Sequence, residues 1–263
     1  MTAPAGAEDL RIWQLAEPTS EQENSMTELA TYELDGRIAW ITIDDGKVNA
    51  FSIAMLRALH DALDRAERDQ AVVVLRGREG CFSAGFDLKV FGSGNQDQVL
   101  EMLNLGATLA ERVLAFRTPV VIAATGHAVA AGAFLLLAAD LRIGVDGPFR
   151  IGLNEVQIGL TMPRFVIELA RRRLQPPYFL RSVAGAEMHG PHEAVDAGFF
   201  DRVVAAEGLQ EATLQEATRL GELNAAAYAA TKLRASGETL EAVRAAIDSE
   251  FTAAGLSGSS APV

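Results

Sequence analysis

The chain has 263 residues, a formal net charge of −12, a single cysteine and no apolar run long enough to cross a bilayer. An acidic excess of this size argues against nucleic acid or an anionic membrane as a partner, and one cysteine excludes an intramolecular disulfide. Because the N-terminus lacks a basic segment followed by an apolar one, we expect no export and a reducing, cytoplasmic location.

The composition predicts three regions along the chain. Residues 1–25 are rich in Ala, Pro, Glu and Ser and have no repeating apolar face, so we expect a disordered leader, with translation from Met26 as a possibility. A folded core is predicted over residues 26–203 and a helical region over residues 204–263. The Gly/Ser-rich residues 255–260 are expected to be loose.

Strand and helix signals alternate between these limits. Short apolar runs predict strands at residues 29–34, 37–43, 71–75, 120–124, 141–145 and 200–204. Apolar residues at helical spacing predict helices at about residues 52–68, 96–116, 130–139, 164–174, 177–183, 191–197, 207–219, 225–235 and 240–251. Asp35-Gly36 is a hairpin signal, and Gly126 to Val129 is a predicted turn. Strands separated by helices indicate parallel units and an α/β fold.

The stretch from Pro119 to Pro163 carries the chemistry. Residues 130–139 are apolar on every face, as in a buried helix, and follow a turn of small residues. The start of such a helix presents unpaired N–H groups and a partial positive charge. Glu155 is the lone acid of residues 151–162. A carboxylate near these donors predicts an enolate-type site, with a base and a place for an oxyanion.

Four segments in order carry a family resemblance: Lys47-Val48-Asn49-Ala50, Phe82 to Lys89, Gly126 to Gly132, and Glu155. Together they resemble the crotonase (enoyl-CoA hydratase/isomerase) superfamily, over about residues 26–235. The resemblance implies a spiral of ββα units with a C-terminal helical region. It also implies an acyl-CoA thioester as the ligand and assembly as a homotrimer or dimer of trimers, although the Gly/Ser-rich end departs from the family's usual closing segment.

The resemblance also implies a role for particular residues. The backbone N–H groups of Ala84 and Ala131 would form an oxyanion hole for the thioester carbonyl. The remaining matched positions would line the substrate: Lys47, Val48, Ala50, Gly85, Phe86, Asp87, Leu88, Ala130, Phe134, Asn154 and Ile158. Coenzyme A enters as part of the substrate, and neither a metal nor another cofactor is implied.

One position departs from the family's hydratases, which carry two glutamates that hold and activate water. Phe134 stands at the first of these positions, and Glu155 matches the second. A single glutamate resembles the 3,2-enoyl-CoA isomerases, because moving a double bond needs one base, whereas adding water asks for a second polar group. The sequence therefore favours an isomerase of fatty-acid metabolism. A hydratase or other lyase and a non-catalytic acyl-CoA binder stay open.

Burial by apolar neighbours should tune the candidate base. Phe134, Ile158 and Leu160 are expected to exclude water from Glu155 and so to raise the pKa of its carboxyl. The alternative is that Glu155 is a solvated loop acid, in which case its pKa would stay near the usual range.

Other polar residues have simpler structural explanations. His127 is expected to be structural rather than catalytic, and Asp87 either lines the ligand or forms a turn. Cys81 is predicted to be a small buried residue. The run of three arginines at residues 171–173 is a predicted exposed helix face. No group of His, Cys and acidic residues has the sequence spacing of a metal site.

Overall fold

A computed structural model describes residues 28–250, in which strands and helices alternate. The strands are β1 (Ala30–Asp35), β2 (Ile38–Ile43), β3 (Val72–Arg76), β4 (Gly80–Ser83), β5 (Val120–Ala124), β6 (Gly126–Val129), β7 (Leu141–Val145), β8 (Ile151–Gly152) and β9 (Arg202–Val204). The α-helices are α1 (Ile53–Asp69), α2 (Leu88–Gly92), α3 (Gln96–Ala115), α4 (Ala131–Ala138), α5 (Arg164–Arg173), α6 (Pro176–Val183), α7 (Pro191–Ala197), α8 (Leu209–Gly221) and α9 (Ala225–Glu250). The predictions for the leader over residues 1–25, for Met26 and for residues 255–260 lie outside the described range.

Successive ββα units generate the fold. After the β1–β2 hairpin, each of the next three units sends its first strand to one sheet and its second strand to another. The larger sheet has the order β1-β2-β3-β5-β7-β9, and the smaller has the order β4-β6-β8. The hairpin pair is antiparallel, whereas the strands after it pair in parallel. The predicted α/β spiral and the hairpin at Asp35-Gly36 are confirmed.

Both faces of the larger sheet are covered. Val73 and Ile122 belong to a core cluster that includes the buried sides of α1, α3 and α4. Because side chains alternate along a strand, Val74 and Val121 point to the opposite face, where they cluster with Leu209 of α8. This two-sided burial explains why the strands are nearly continuous apolar runs in the sequence.

The predicted turn at Gly126 to Val129 is wrong, because these residues form strand β6, the middle strand of the smaller sheet. A Cβ atom at Gly126 would lie 2.0 Å from the carbonyl carbon and oxygen of Gly80 on β4. The glycine therefore permits close approach of two strands rather than a change of direction. Strand β4 itself was not among the predicted strands.

The two helices predicted at residues 225–235 and 240–251 form one continuous helix, α9, as far as Glu250. The predicted break contains Gly237, which costs about 1 kcal/mol in a helix relative to alanine. Ser236 and Leu240 on either side of it are buried, and α9 packs against α3 and α5. Burial of this helix outweighs the weak local signal for a break.

The arginine run at the end of α5 is an exposed face only at Arg171, so the prediction is wrong for the other two residues. Arg172 donates to the hydroxyl of Ser236 at 3.1 Å, and Arg173 donates to the carbonyl oxygen of Ala139. Arg173 thus places its charge at the C-terminal ends of α4 and α5, where the helix dipole favours a cation.

Candidate active site

Three parallel strands end side by side and deliver the candidate residues. In the smaller sheet Ser83 of β4 lies beside Ala128 of β6, and Val129 lies beside Gly152 of β8. The carboxyl ends of parallel strands meet at one edge of a sheet, which is where ligands bind in many α/β folds. The residues after β4, the start of α4 and the segment that contains Glu155 therefore converge.

Asn49 fixes the loop between β2 and α1 to strand β4. Its buried side-chain amide donates to the carbonyl oxygens of Ile43, Cys81 and Phe82 at 3.1–3.2 Å, and its own carbonyl accepts from the Ser83 hydroxyl at 2.7 Å. Asn49 has a φ of 52°, a conformation that asparagine tolerates better than most residues. Sequence reasoning named its neighbours in the loop as site residues but did not single out Asn49.

The oxyanion role predicted for Ala84 is wrong in this structure, because its N–H donates to the carbonyl oxygen of Val48 at 3.0 Å. The next available donor is Phe86. Phe51 forms backbone hydrogen bonds with the two residues that flank Phe86. Its N–H donates to the Gly85 carbonyl oxygen at 2.7 Å, and its carbonyl oxygen accepts from the Asp87 N–H at 3.3 Å. The Phe86 N–H therefore points away from Phe51, and it has no hydrogen-bond partner among residues 28–250.

Ala131 begins helix α4, so its N–H has no acceptor within the helix, and none elsewhere in the described part of the chain. The preceding Ala130 has φ 50° and ψ −117°, an unfavourable conformation for alanine that costs on the order of 1–3 kcal/mol. A Cβ atom at Gly85 would lie 3.3 Å from the Ala131 nitrogen. The chain at Gly85 and Phe86 therefore runs directly against the start of α4, with two free N–H groups.

Glu155 supplies a buried carboxyl group three residues after Gly152, whose carbonyl oxygen accepts a hydrogen bond from the N–H of Ala130. Its side chain is 8% exposed, and Oε2 has no hydrogen-bond partner within the described residues. Burial raises the pKa of the Glu155 carboxyl to about 7, which confirms the predicted direction and contradicts the picture of a solvated acid. Ile158 and Leu160, which were expected to help, are 41% and 39% exposed, so burial must come mainly from other groups.

Phe134 belongs to an aromatic cluster in the core. Its ring is 2% exposed and lies 5.8 Å from the ring of Phe86 and 5.1 Å from that of Phe165, measured between centroids. The side chain of Phe86 thus faces the core while its N–H remains available. This packing fixes the backbone at Phe86 and keeps polar groups and water away from the place held by Phe134.

The family can be identified from the whole sequence. A family model described as Enoyl-CoA hydratase/isomerase matches residues 33–254, which is most of the chain. The chain is a member of the enoyl-CoA hydratase/isomerase family.

Solved structures agree with this membership. An enoyl-CoA hydratase/isomerase family protein from Pseudomonas syringae is 47% identical, with a TM-score of 0.84 over 86% of this chain and 98% of that chain. A Mycobacterium tuberculosis protein described as a probable enoyl-CoA hydratase is 39% identical, with a TM-score of 0.84 over 88% and 98% of the two chains. A second structure of that same Mycobacterium tuberculosis protein, also 39% identical, with a TM-score of 0.81 over 85% and 97% of the two chains, is described as an enoyl-CoA isomerase.

Among curated proteins, a probable enoyl-CoA hydratase from Bacillus subtilis is 32% identical over 170 residues, which is 63% of this chain and 65% of that protein. The chain thus spans less than two thirds of the length of this relative. The names of similar proteins include both reactions, so family membership alone does not decide between them.

The other family-matched residues divide into loop and rim positions. The N–H groups of Lys47 and Ala50 both donate to the carboxylate of Asp45. The backbone carbonyl oxygen of Lys47 accepts from the Arg78 guanidinium at 2.6 Å. The side chains of Lys47, Val48 and Leu88 are exposed. Asp87 accepts from the Lys89 N–H at 2.9 Å and caps α2, which favours the turn-forming role. Asn154 precedes Glu155, and its Oδ1 is buried without a partner within residues 28–250.

His127 has the surroundings of a structural residue. Its Nδ1 accepts from the Arg150 N–H at 3.0 Å, and its ring packs edge-on against Phe149. Burial, followed by the charge of Arg150, lowers the pKa of His127. A histidine held in this way is a poor candidate for proton transfer. Cys81 is buried as predicted, and burial raises the pKa of its thiol to about 12.

Within residues 28–250, every helix is too short or too polar to traverse a lipid bilayer.

Proposed function

We propose that this family member shifts the double bond of a 3-enoyl-CoA thioester to give the 2-enoyl isomer. The thioester oxygen would accept hydrogen bonds from the N–H groups of Phe86 and Ala131. The Glu155 carboxylate would take a proton from C2 and form a dienolate held by these two donors. Returning the same proton to C4 moves the double bond and leaves Glu155 ionised again, so the step balances without a co-reactant.

The observation that carries this proposal is the buried carboxyl of Glu155 with no partner at Oε2 in the described chain. A pKa of about 7 is suited to a group that must accept and return a proton near neutral pH. Each backbone donor of an oxyanion hole contributes roughly 3 kcal/mol to stabilising the intermediate. The strained backbone of Ala130 is consistent with a helix start that is positioned for such a role.

Isomerisation is favoured over hydration because one acid is buried here. Glu155, at 8% exposure, is the sole Asp or Glu among the buried residues of the range 28–250. The family position of a second glutamate holds Phe134, whose ring is packed between Phe86 and Phe165. An aromatic cluster can neither orient nor polarise an attacking water molecule.

Hydration is the second candidate, and one observation supports it. Asn154 and Glu155 are adjacent in the sequence, and each has a buried side-chain oxygen, Oδ1 and Oε2 respectively, with no hydrogen-bond partner in the described chain. Water commonly satisfies buried polar groups of this kind and needs two or more polar partners. A water bound by both oxygens could be delivered to a 2-enoyl-CoA.

The deciding experiment compares turnover of matched 3-enoyl-CoA and 2-enoyl-CoA substrates by the wild type and by Glu155→Gln. We expect isomerisation by the wild type and a loss of about 10²–10⁴-fold in the variant, because general base catalysis contributes that much. The exposed Glu238→Gln is the control for loss of one acidic charge. Robust hydration without isomerisation would support the second candidate. Tight acyl-CoA binding without turnover would indicate a non-catalytic binder.

A further inference from the structure

A cluster of three potential metal ligands lies outside the proposed active site. One ligand atom each from Glu187, His189 and Glu193 lies within 4.8 Å of the other two. The sequence spacing did not predict it, because the three residues come from the loop after α6 and from the first turn of α7. The fold brings them together by pairing His189 with Ile151 of β8 through two backbone hydrogen bonds of 2.9 Å.

His189 points a buried, unused nitrogen at this cluster. Its side chain is fully buried, with the ring held between Tyr178 and Phe199 at centroid distances of 5.6 and 5.8 Å. Nε2 bonds the Ser182 hydroxyl at 3.1 Å, whereas Nδ1 has no hydrogen-bond partner within residues 28–250. A histidine whose second nitrogen is oriented by a hydrogen bond is the usual arrangement of a metal-ligating imidazole.

The distance between the facing atoms suits a shared cation. His189 Nδ1 lies 3.5 Å from Glu193 Oε2, too far for the hydrogen bond of about 2.8 Å that an imidazolium and a carboxylate usually form. Two ligands bound tetrahedrally at about 2.0–2.1 Å from one metal ion are roughly 3.4 Å apart. If Nε2 donates to Ser182, then Nδ1 is an acceptor that faces another acceptor, which a cation between them would stabilise.

The charged side chains around the cluster leave an excess of negative charge, which a divalent cation would offset. Arg181 forms a two-pronged ion pair with Glu187 and lies 3.8 Å from Glu193. One guanidinium does not balance two carboxylates. Carboxylate oxygens also offer about four lone-pair directions, so Glu187 can keep Arg181 and still bind a metal ion.

We propose that Glu187, His189 and Glu193 form a binding site for a divalent transition-metal ion of the zinc class, with a further position open to water. One imidazole with two carboxylates matches the ligand preference of zinc better than that of magnesium or calcium, which favour oxygen alone. The bound ion would fasten the segment of residues 187–193 against β8, the strand that leads to Glu155. Its role is therefore structural.

The test uses the full-length protein after treatment with a chelator. Titration with Zn²⁺ should show one equivalent bound, and Co²⁺ should give the visible absorption of a tetrahedral site. Glu193→Gln, at a side chain that is 43% exposed, should abolish both signals without unfolding the protein. Ser182→Ala should weaken binding about 10–100-fold, as expected when a partner of the ligating histidine is removed.

His192→Gln is the matched control, because His192 is an exposed histidine that lies 3.2 Å from Asp146 but belongs to no three-ligand group in the described chain. This variant should bind zinc as the wild type does. Absence of one-equivalent binding in the wild type, or binding that Glu193→Gln leaves unchanged, would overturn the proposal. Since the readout is metal binding, the result is independent of whether the enzyme isomerises enoyl-CoA.

Discussion

The N–H of Ala130 donates to the carbonyl oxygen of Gly152 at 3.0 Å, which joins the turn before α4 to the end of β8. Ala131 directly follows Ala130, and Glu155 lies three residues after Gly152. The proposed oxyanion donor and the proposed base are therefore held in one hydrogen-bonded frame. Preorganisation of this kind is what allows backbone donors to stabilise a developing charge without rearrangement.

Gly85→Ala should disrupt the oxyanion site. Gly85 has a φ of 96°, and an added Cβ atom would lie 2.8 Å from the Ala130 Cβ and 3.3 Å from the Ala131 nitrogen. We expect kcat to fall by about 10²-fold or more, because the donors beside it would be displaced. Gly94→Ala is the control, since Gly94 has a φ of 72° with no described atom within 4 Å. Equal effects of both variants on kcat would show that backbone strain alone explains the loss.

The pH dependence of activity should follow the ionisation of Glu155. Burial raises the pKa of this carboxyl to about 7, and only the ionised form can accept the C2 proton. We therefore expect kcat/KM to rise about tenfold per pH unit at acidic pH and to level off above about pH 7. The profile is measured from about pH 3.5 to 9, with enzyme stability checked at each pH. A limb centred near the 4.5 of a free glutamate would show that Glu155 is solvated.

The same pKa makes Glu155 a source of instability at neutral pH and above. The folded protein holds the Glu155 proton up to about pH 7, whereas the unfolded chain releases it near 4.5, so the free energy of unfolding falls as pH rises through this window. The full loss is up to about 3 kcal/mol. Glu155→Gln should therefore raise the unfolding free energy at pH 8 and have little effect at pH 4, as measured by urea denaturation. Stabilisation of equal size at both pH values would point to a cause other than ionisation.

Most of the fold was predictable because its signals are local. The buried strand at residues 120–124 and the helix at residues 191–197 have the predicted limits, since apolar runs and helix-starting prolines act within a few residues. Strand β6 was missed because a glycine usually signals a turn. Gly126 instead leaves room for the backbone of the neighbouring strand β4. The continuity of α9 likewise depends on packing against α3 and α5, which are distant from it in the sequence.

The candidate site was predictable in its acid and in one of its donors, Ala131, but not in the other. Glu155 stands out as one acid in an apolar segment, and the direction of its pKa shift is as predicted, although Ile158 and Leu160 of that segment are too exposed to supply most of its burial. Sequence alone could not show that the Ala84 N–H is used by Val48, because that bond links residues far apart in the chain. The assignment moves to Phe86 only when the bonds of Phe51 are known. The proposed metal site at Glu187, His189 and Glu193 could not be predicted from the sequence either, because contacts between separate elements bring these residues together.

Asn49→Ala should destabilise the protein and loosen the loop between β2 and α1, which carries Lys47, Val48 and Ala50. The change removes an amide that serves the buried carbonyl oxygens of Ile43, Cys81 and Phe82, and each unsatisfied group costs roughly 1–3 kcal/mol. We expect a loss of about 2–4 kcal/mol in the free energy of unfolding, measured by urea denaturation, together with a higher KM, because water and relaxation recover part of the bonding. Gln70→Ala is the control, since Gln70 is exposed and has nearly the same φ, 53° against 52°. If Gln70→Ala destabilised the protein as much, the effect would belong to the backbone conformation rather than to the side-chain bonds of Asn49.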